Sequence, residues 1–199
     1  MSTSARQPEH PIDPLFTRRW SPRAFTGEAI SHPKLMQCIE AARWAPSASN
    51  SQPWRFIYAL RDTPAWTPIF DTLVEFNRDW AHRAGALIVV LSRKRWIAPG
   101  YSEERALASH SFDAGAAWAN LALQTTQSGW HAHAMAGFDN ERLRAQLRVP
   151  EDYVIEAVVA IGKIADKSVL SEALAQRETP SQRLPLKAIV AEGRFAFEA

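Results

Sequence analysis

Residues 42–57 read ARWAPSASNSQPWRFI, and that stretch holds a helix end, a polar loop and the start of a strand. Upstream, Ser31 stands where a helix would be capped, with Pro33 in the first turn, and Leu35, Met36, Ile39 and Ala42 recur at helical spacing up to Trp44. Pro46 cannot continue that helix. Hydroxyls and two carboxamides then crowd between Pro46 and Pro53, and Trp54 to Leu60, WRFIYAL, has the aromatic and β-branched character of a strand. Carboxamides offer paired donors and acceptors, which suits the imide edge of a flavin or a nucleobase. Ordinary Ser/Asn/Pro turns share this composition, so the loop alone does not separate a ligand site from a linker.

Working outward, the pattern predicts a short helix within Pro11–Arg19, a helix from Pro68 to about Arg83 and a strand over Ala86–Leu91. Six consecutive apolar residues in that strand predict a sheet covered on both faces. The longest helix is predicted from roughly Glu103 to Ser128, with Phe112, Ala116, Ala119 and Leu123 as its apolar stripe and Gly129 as its stop. A strand over His131–Ala136, a helix over Asn140–Arg148 and a buried strand over Tyr153–Ile161 follow. Residues from about 165 to 199, broken by Thr179-Pro180 and Leu184-Pro185, read as an arm wrapped over something. Helices flanking a small mixed sheet make an α+β sandwich.

The chain has 199 residues, 46% hydrophobic and 22% charged, which excludes disordered and fibrous classes and fits one domain, residues 1–199. The first twenty residues lack an apolar stretch of signal-peptide length, and no run is long enough to span a membrane. The single cysteine, Cys38, forbids an internal disulfide and multi-cysteine metal sites, so the expected location is the cytoplasm. Cys38 itself reads as a buried filler beside Met36 and Ile39. Glycines are eight, and the nearest two, Gly129 and Gly137, are too far apart for a phosphate-binding glycine loop. Any phosphate must be held by side chains.

Residues 1–61 carry eight Lys/Arg against four Asp/Glu, and the remainder fifteen against seventeen. Within that basic half, Arg18-Arg19-Trp20-Ser21-Pro22-Arg23 sets three guanidiniums and a hydroxyl close together, a donor set matched to phosphate oxygens. A solvated basic turn is the plainer reading of those six residues. No zinc-finger spacing, RNP-like strand or recognition helix accompanies them, so nucleic acid is not expected as a partner. His131 and His133 lie on one strand face, but no third ligand at matching spacing is visible, and no metal is expected. A G-x-S-x-G elbow is also missing.

Taken together, RRWSPRAF and ARWAPSASNSQPWRFI closely resemble the nitroreductase family of FMN-dependent oxidoreductases. The second stretch carries the family pattern A-P-S-x-x-N-x-Q-P-W with its spacing intact. Further matches are the Asn77 region, the Gly115–Gly129 helix with Asn120, the turn Ala136-Gly137-Phe138-Asp139, and Gln182-Arg183-Leu184-Pro185. The resemblance implies a three-layer α/β/α sandwich with a small mixed, mainly antiparallel sheet, in an intertwined homodimer whose arm packs on the partner.

The resemblance also implies a cofactor site. Arg19 and Ser21 match contacts to the FMN phosphate and ribityl chain, flanked by Arg18 and Trp20, and Arg183 matches a C-terminal arginine on the phosphate. Arg23 matches the basic residue near flavin N1 and the C2 carbonyl, Asn77 an asparagine at the pyrimidine edge, and Ala136 and Gly137 the turn whose backbone N–H faces N5. Pro46, Ser47, Ala48 and Asn50 match residues supplied across the subunit interface, and Gln52 of the same pattern is a further cofactor-binding candidate. Three positions depart from the family: Trp20 where many relatives have a basic or polar group, Ser181 where some have lysine, and Ala136 where an acid is frequent. Between Leu91 and Ser111 only some twenty residues are available for the excursion that covers the substrate in larger members, and Trp96 and Tyr101 fall in it.

The implied activity is hydride transfer from NADH or NADPH, through tightly bound FMN, to a small nitroaromatic or quinone-like acceptor in ping-pong fashion. A dehydrogenating, dehalogenating or flavin-fragmenting reaction on the same fold, or a non-catalytic flavin carrier, would use the same cofactor residues.

Overall fold

The computed structural model describes residues 6–197 of the chain, so residues 1–5 and 198–199 of the expected domain and arm lie outside it. Four strands form the central sheet in the order β1-β2-β6-β5: β1 (Trp54–Leu60), β2 (Ala86–Arg93), β5 (His131–Met135) and β6 (Tyr153–Gly162). All three pairings are antiparallel. The central strand β2 is buried from Ala86 to Ser92, as its unbroken apolar run requires. A second, two-stranded sheet pairs β3 (Arg95–Ile97) with β4 (Glu104–Ala106).

Helices cover both faces. On one side α2 (His32–Arg43) packs against α5 (His110–Gln127), and Leu35, Cys38, Ala42, Ala117 and Leu121 meet Ile88 and Val159 of the sheet. On the other lie α3 (Trp66–Phe70), α4 (Glu75–Ala81), α6 (Asn140–Leu147) and α7 (Glu172–Ala175), where Phe25, Trp80 and Leu143 are fully buried. Each such large apolar side chain contributes roughly 1.5–3 kcal/mol. The short α1 (Pro14–Arg18) begins on Asp13, whose carboxylate accepts the Leu15 N–H.

Three expectations are corrected. The helix expected from Pro68 to Arg83 is two helices, because the Thr72 hydroxyl donates to the Ile69 carbonyl and Leu73 bridges to Phe138, drawing the chain out of helical conformation before α4. The helix expected from Glu103 starts at His110, since residues 104–106 are taken by the small hairpin. The stripe of α5 is also rotated: Asp113, Ala114, Ala117, Leu121, Ala122 and Thr125 are buried, whereas Phe112 is 81% exposed.

The arm is short 3-10 and helical pieces joined by extended chain, and residues 181–196 are all exposed.

Candidate functional site

Phe25 anchors the arginine run. Its ring is fully buried at 6.0 Å from Trp80, and it packs so closely over Gly162 that a Cβ there would lie 2.5 Å from the ring. Around it the backbone extends the sheet, with Thr26 N–H donating to the Lys163 carbonyl at 2.9 Å and Ala165 N–H to the Ala24 carbonyl at 2.8 Å. The residues before Phe25 are thereby laid along the mouth of β5. There His133 Nδ1 meets the Pro22 carbonyl at 3.0 Å, with its ring 4.6 Å from that of Trp80. Burial holds the His133 imidazole down to about 4, so at neutral pH it is uncharged and its Nδ1–H donates to Pro22.

Glu178 fixes the same segment from the C-terminal side. This carboxylate is 8% exposed, and its Oε1 accepts the backbone N–H groups of Arg23 at 2.6 Å and Ala24 at 2.8 Å. Oε2 lies 3.9 Å from Arg23 Nη1 and has no hydrogen-bond partner, and Arg23 Nε is likewise buried and unpartnered. Such groups are costly unless something completes their bonding. Burial lowers the Arg23 guanidinium, against an opposing pull from Glu178, and Arg177 lowers it further. Arg23 and Arg177 both approach the Phe76 ring, at 5.8 and 5.9 Å.

Beside Arg23 opens a hollow of about 290 Å³ whose walls include Arg6, Arg19, Trp20, Ser21, His133 and Arg183. Arg19 Nη1 donates to the Ser21 hydroxyl at 3.3 Å, and Arg183 Nη1 to the Ser181 hydroxyl at 3.1 Å. Burial, then Arg183, lowers Arg19. Among the described residues no carboxylate forms an ion pair with Arg19 or Arg183. Like charges gathered around polar hydroxyls make a seat for an anion. A phosphate monoester fits this donor set, and the partly exposed Arg23 guanidinium stands on the same wall.

Asn77 and Gly137 are joined to each other. Asn77 Nδ2 donates to the Gly137 carbonyl at 2.9 Å, and a Cβ on residue 137 would stand 2.8 Å from that nitrogen. Ala136, next in line, is exposed. Arg18 points away at the exposed end of α1 and does not line the hollow.

The loop holding Pro46, Ser47, Ala48, Asn50 and Gln52 is also outside the hollow. It is nonetheless rigidly built. The buried Asp113 carboxylate accepts Ala48 N–H at 3.2 Å and the Ser109 hydroxyl at 2.9 Å, while Ser47 Oγ accepts Gln52 N–H at 3.0 Å. Ser49, Asn50 and Gln52 all have positive φ, 48°, 56° and 47°, a conformation that costs non-glycine residues energy. Asn50 and Gln52 are exposed. Within one chain the structure therefore unites Arg19, Trp20, Ser21, Arg23 and Arg183, pairs Asn77 with Gly137, and leaves the 46–52 loop facing solvent.

Sequence reasoning missed Arg6, Arg177 and His133 as parts of the hollow, and Glu178 as the carboxylate that fixes the Arg23 backbone beside it. His133 was noticed only as half of a histidine pair; nothing local marks the other three, of which Glu178 reaches Arg23 across 155 positions and Arg6 joins Arg19 to Ser181. A broader groove of about 940 Å³ between α2 and α5 is shallower in chemistry: its charged residues are Lys34 and Glu40, and Glu40 is already bonded to Arg43 and Trp44. Among the described residues no cluster of three or more potential metal ligands exists, and no helix is long and apolar enough to cross a membrane.

Comparison with known proteins gives a consistent picture. A family model described as Nitroreductase family matches residues 16–163. A protein of Thermus thermophilus named NADH dehydrogenase is 30% identical over 197 residues, covering 87% of this chain and 91% of its own. A solved structure described as an oxidoreductase containing FMN is 46% identical, covers all of both chains and superposes with a TM-score of 0.94. A nitroreductase family protein of Streptococcus pneumoniae shares the fold at 22% identity and a TM-score of 0.70, covering 89% of this chain and 98% of its own.

Proposed function

The chain belongs to the nitroreductase family, and from that premise we propose that it is an FMN-dependent NAD(P)H oxidoreductase that reduces small nitroaromatic or quinone-like acceptors by a ping-pong mechanism. The observation that carries this reading is the arginine and hydroxyl hollow at Arg19, Ser21 and Arg183, whose wall also includes the half-buried Arg23. FMN, held tightly without a covalent bond, supplies hydride chemistry at its N5 when bound.

The chain's own residues do the rest. Arg19, Arg183 and the Ser21 hydroxyl would hold the phosphate. Arg23 would supply a fixed cation to the polar edge of the bound ring, favouring negative charge there. Glu178 keeps Arg23 in place through the backbone of residues 23 and 24. His133, neutral, holds Pro22 and adds no competing charge. Asn77 and the Ala136-Gly137 turn, joined by the Asn77 Nδ2 to Gly137 carbonyl bond, would hold the ring end of the cofactor.

The reading includes a homodimer, in which the 46–52 loop of one subunit completes the ring-binding end of the other's site and the arm from about residue 165 packs on the partner. The exposed arm, the exposed Phe112 and a strained but firmly pinned loop support it. We place the enzyme in the cytoplasm, acting on small molecules and not on nucleic acid.

Titration of the purified chain with FMN, followed by anaerobic mixing with NADH and NADPH and a panel of quinones and nitroarenes, tests the function. Protein that takes up no FMN overturns it, and FMN-loaded protein that neither nicotinamide bleaches assigns a different flavin reaction. Shared sites are tested by mixing chains carrying Arg23→Ala with chains carrying Asn50→Ala. The mixed dimer is expected to regain one intact site, about half of wild-type turnover per dimer; no recovery overturns the sharing.

A further inference from the structure

Arg6 comes from the N-terminal segment, outside the residues that match the family model, yet it forms part of the wall of the hollow. Its guanidinium is oriented by backbone carbonyls: Nε donates to Ser181 at 2.8 Å, and Nη1 to Arg19 at 2.7 Å and Thr17 at 3.2 Å. The two strands of chain it touches are those that carry the other two arginines, Arg19 itself and Arg183 two residues beyond Ser181. A second tie lies close by, where Leu186 N–H donates to Glu9 Oε1 at 2.9 Å. The N-terminal segment and the arm thus run together at the hollow. Burial, then Arg183 and Arg19, lowers Arg6, so the three guanidiniums repel one another across the cavity they share. A dianion among them converts that repulsion into three attractions.

We propose that Arg6 is a phosphate-binding residue, the third guanidinium of a clasp with Arg19 and Arg183, through which a bound phosphomonoester ties the N-terminal segment to the C-terminal arm. This rests on reading the hollow as the seat of the FMN phosphate. The side chain at 181 is a neutral serine, and Arg6 brings a positive charge to that position from the other end of the chain. Occupancy of the site by phosphate then strengthens the tie between the segment at Arg6 and the arm at Ser181–Arg183.

The test uses the full chain stripped of cofactor, with FMN, riboflavin and inorganic phosphate as probes. Arg6→Ala is expected to weaken FMN by about 10- to 100-fold while changing riboflavin affinity less than about twofold, because riboflavin lacks the phosphate. Adding Ser181→Lys to Arg6→Ala restores a cation to the same spot and is expected to recover most of the lost FMN affinity. Inorganic phosphate and FMN are expected to protect residues near both ends of the wild-type chain from limited proteolysis, and to fail to protect the N-terminal segment of Arg6→Ala. Wild-type protein that binds FMN while Arg6→Ala binds it equally well overturns the clasp alone. Equal losses for FMN and riboflavin also overturn it. Wild-type protein that responds to neither FMN nor phosphate overturns the clasp and the proposed function together.

Discussion

The arginine hollow and the 46–52 loop are the two regions in which the chain has placed its ligand-type side chains, and they are built in opposite ways. The hollow draws on residues from both ends of the described chain and is held by a buried carboxylate, a half-buried imidazole and several backbone carbonyls. The loop draws on seven consecutive residues, is held by Asp113 and Ser47, and turns its carboxamides to solvent. A phosphate seat gains from being surrounded by its own chain, since charges must be gathered and kept dry. In the proposed dimer the loop serves another subunit and must keep its shape unaided; within its own chain it has left-handed backbone at Ser49, Asn50 and Gln52 and few anchors.

Removing the anchor of the hollow should have the largest effect. Glu178→Ala strips two buried N–H groups of their acceptor and leaves Arg23 without its counter-charge, so a loss of about 3–4 kcal/mol in denaturant unfolding is expected. A loss below about 1 kcal/mol would mean that the hollow is no better anchored than the loop.

Acid should attack the hollow next. His133 is held down at about 4 against an ordinary 6.5, chiefly by burial. Between those values the unfolded chain binds a proton that the folded chain refuses. Stability is therefore full above about pH 6.5 and falls as pH drops toward 4, by up to about 3 kcal/mol from this group. His131, lowered by burial as well, adds in the same direction. Unfolding measured against pH should show this slope, and His133→Gln should flatten it.

The loop responds more weakly. Asp113→Ala removes the acceptor for Ala48 and Ser109 and should cost about 1–2 kcal/mol, with FMN binding reduced while the shift caused by inorganic phosphate is unchanged. If the phosphate response falls as well, the two regions are not independent. Smallest of all, Ser49→Gly relieves a left-handed residue and should stabilise by about 0.5 kcal/mol in thermal unfolding. A destabilisation would show that the loop's shape depends on the Ser49 side chain.

Much of this was legible in the sequence where local chemistry is unambiguous. WRFIYAL runs from Trp54 to Leu60 as β1 with the bounds its pattern gave, and the apolar run from Ala86 became the doubly covered β2. The fold class followed from those strands and the helices between them. Arg19, Ser21 and Arg23 stand together in the RRWSPRAF run and Arg183 was singled out by the family resemblance; the four line one cavity. What failed was spacing read without tertiary context. In α5 alanines recur on more than one face, so periodicity could not tell which one meets the sheet, and Phe112 was turned inward when it faces out. Glu103 to Leu107 suits a helix or a strand by composition, and its pairing with Arg95–Ile97 decided for the strand. Glu178 and Arg6 escaped notice because nothing beside them in sequence marks them: Glu178 meets Arg23 from 155 positions away, and Arg6 is drawn to the arm by Ser181, 175 positions on.

Those separations also set an order of events during synthesis. Ribosomes add roughly 5–20 residues per second and the emerging chain folds from its N-terminal side, so Arg19, Ser21 and Arg23 leave the tunnel long before Glu178 and Arg183 have been translated. A nascent chain carrying every strand of the central sheet still lacks the carboxylate that holds Arg23 and the last arginine of the hollow. The hollow is therefore completed only after the central sheet has been translated, and a chain that stops between Gly162 and Glu178 would hold every strand of that sheet without the carboxylate behind Arg23 and without Arg183.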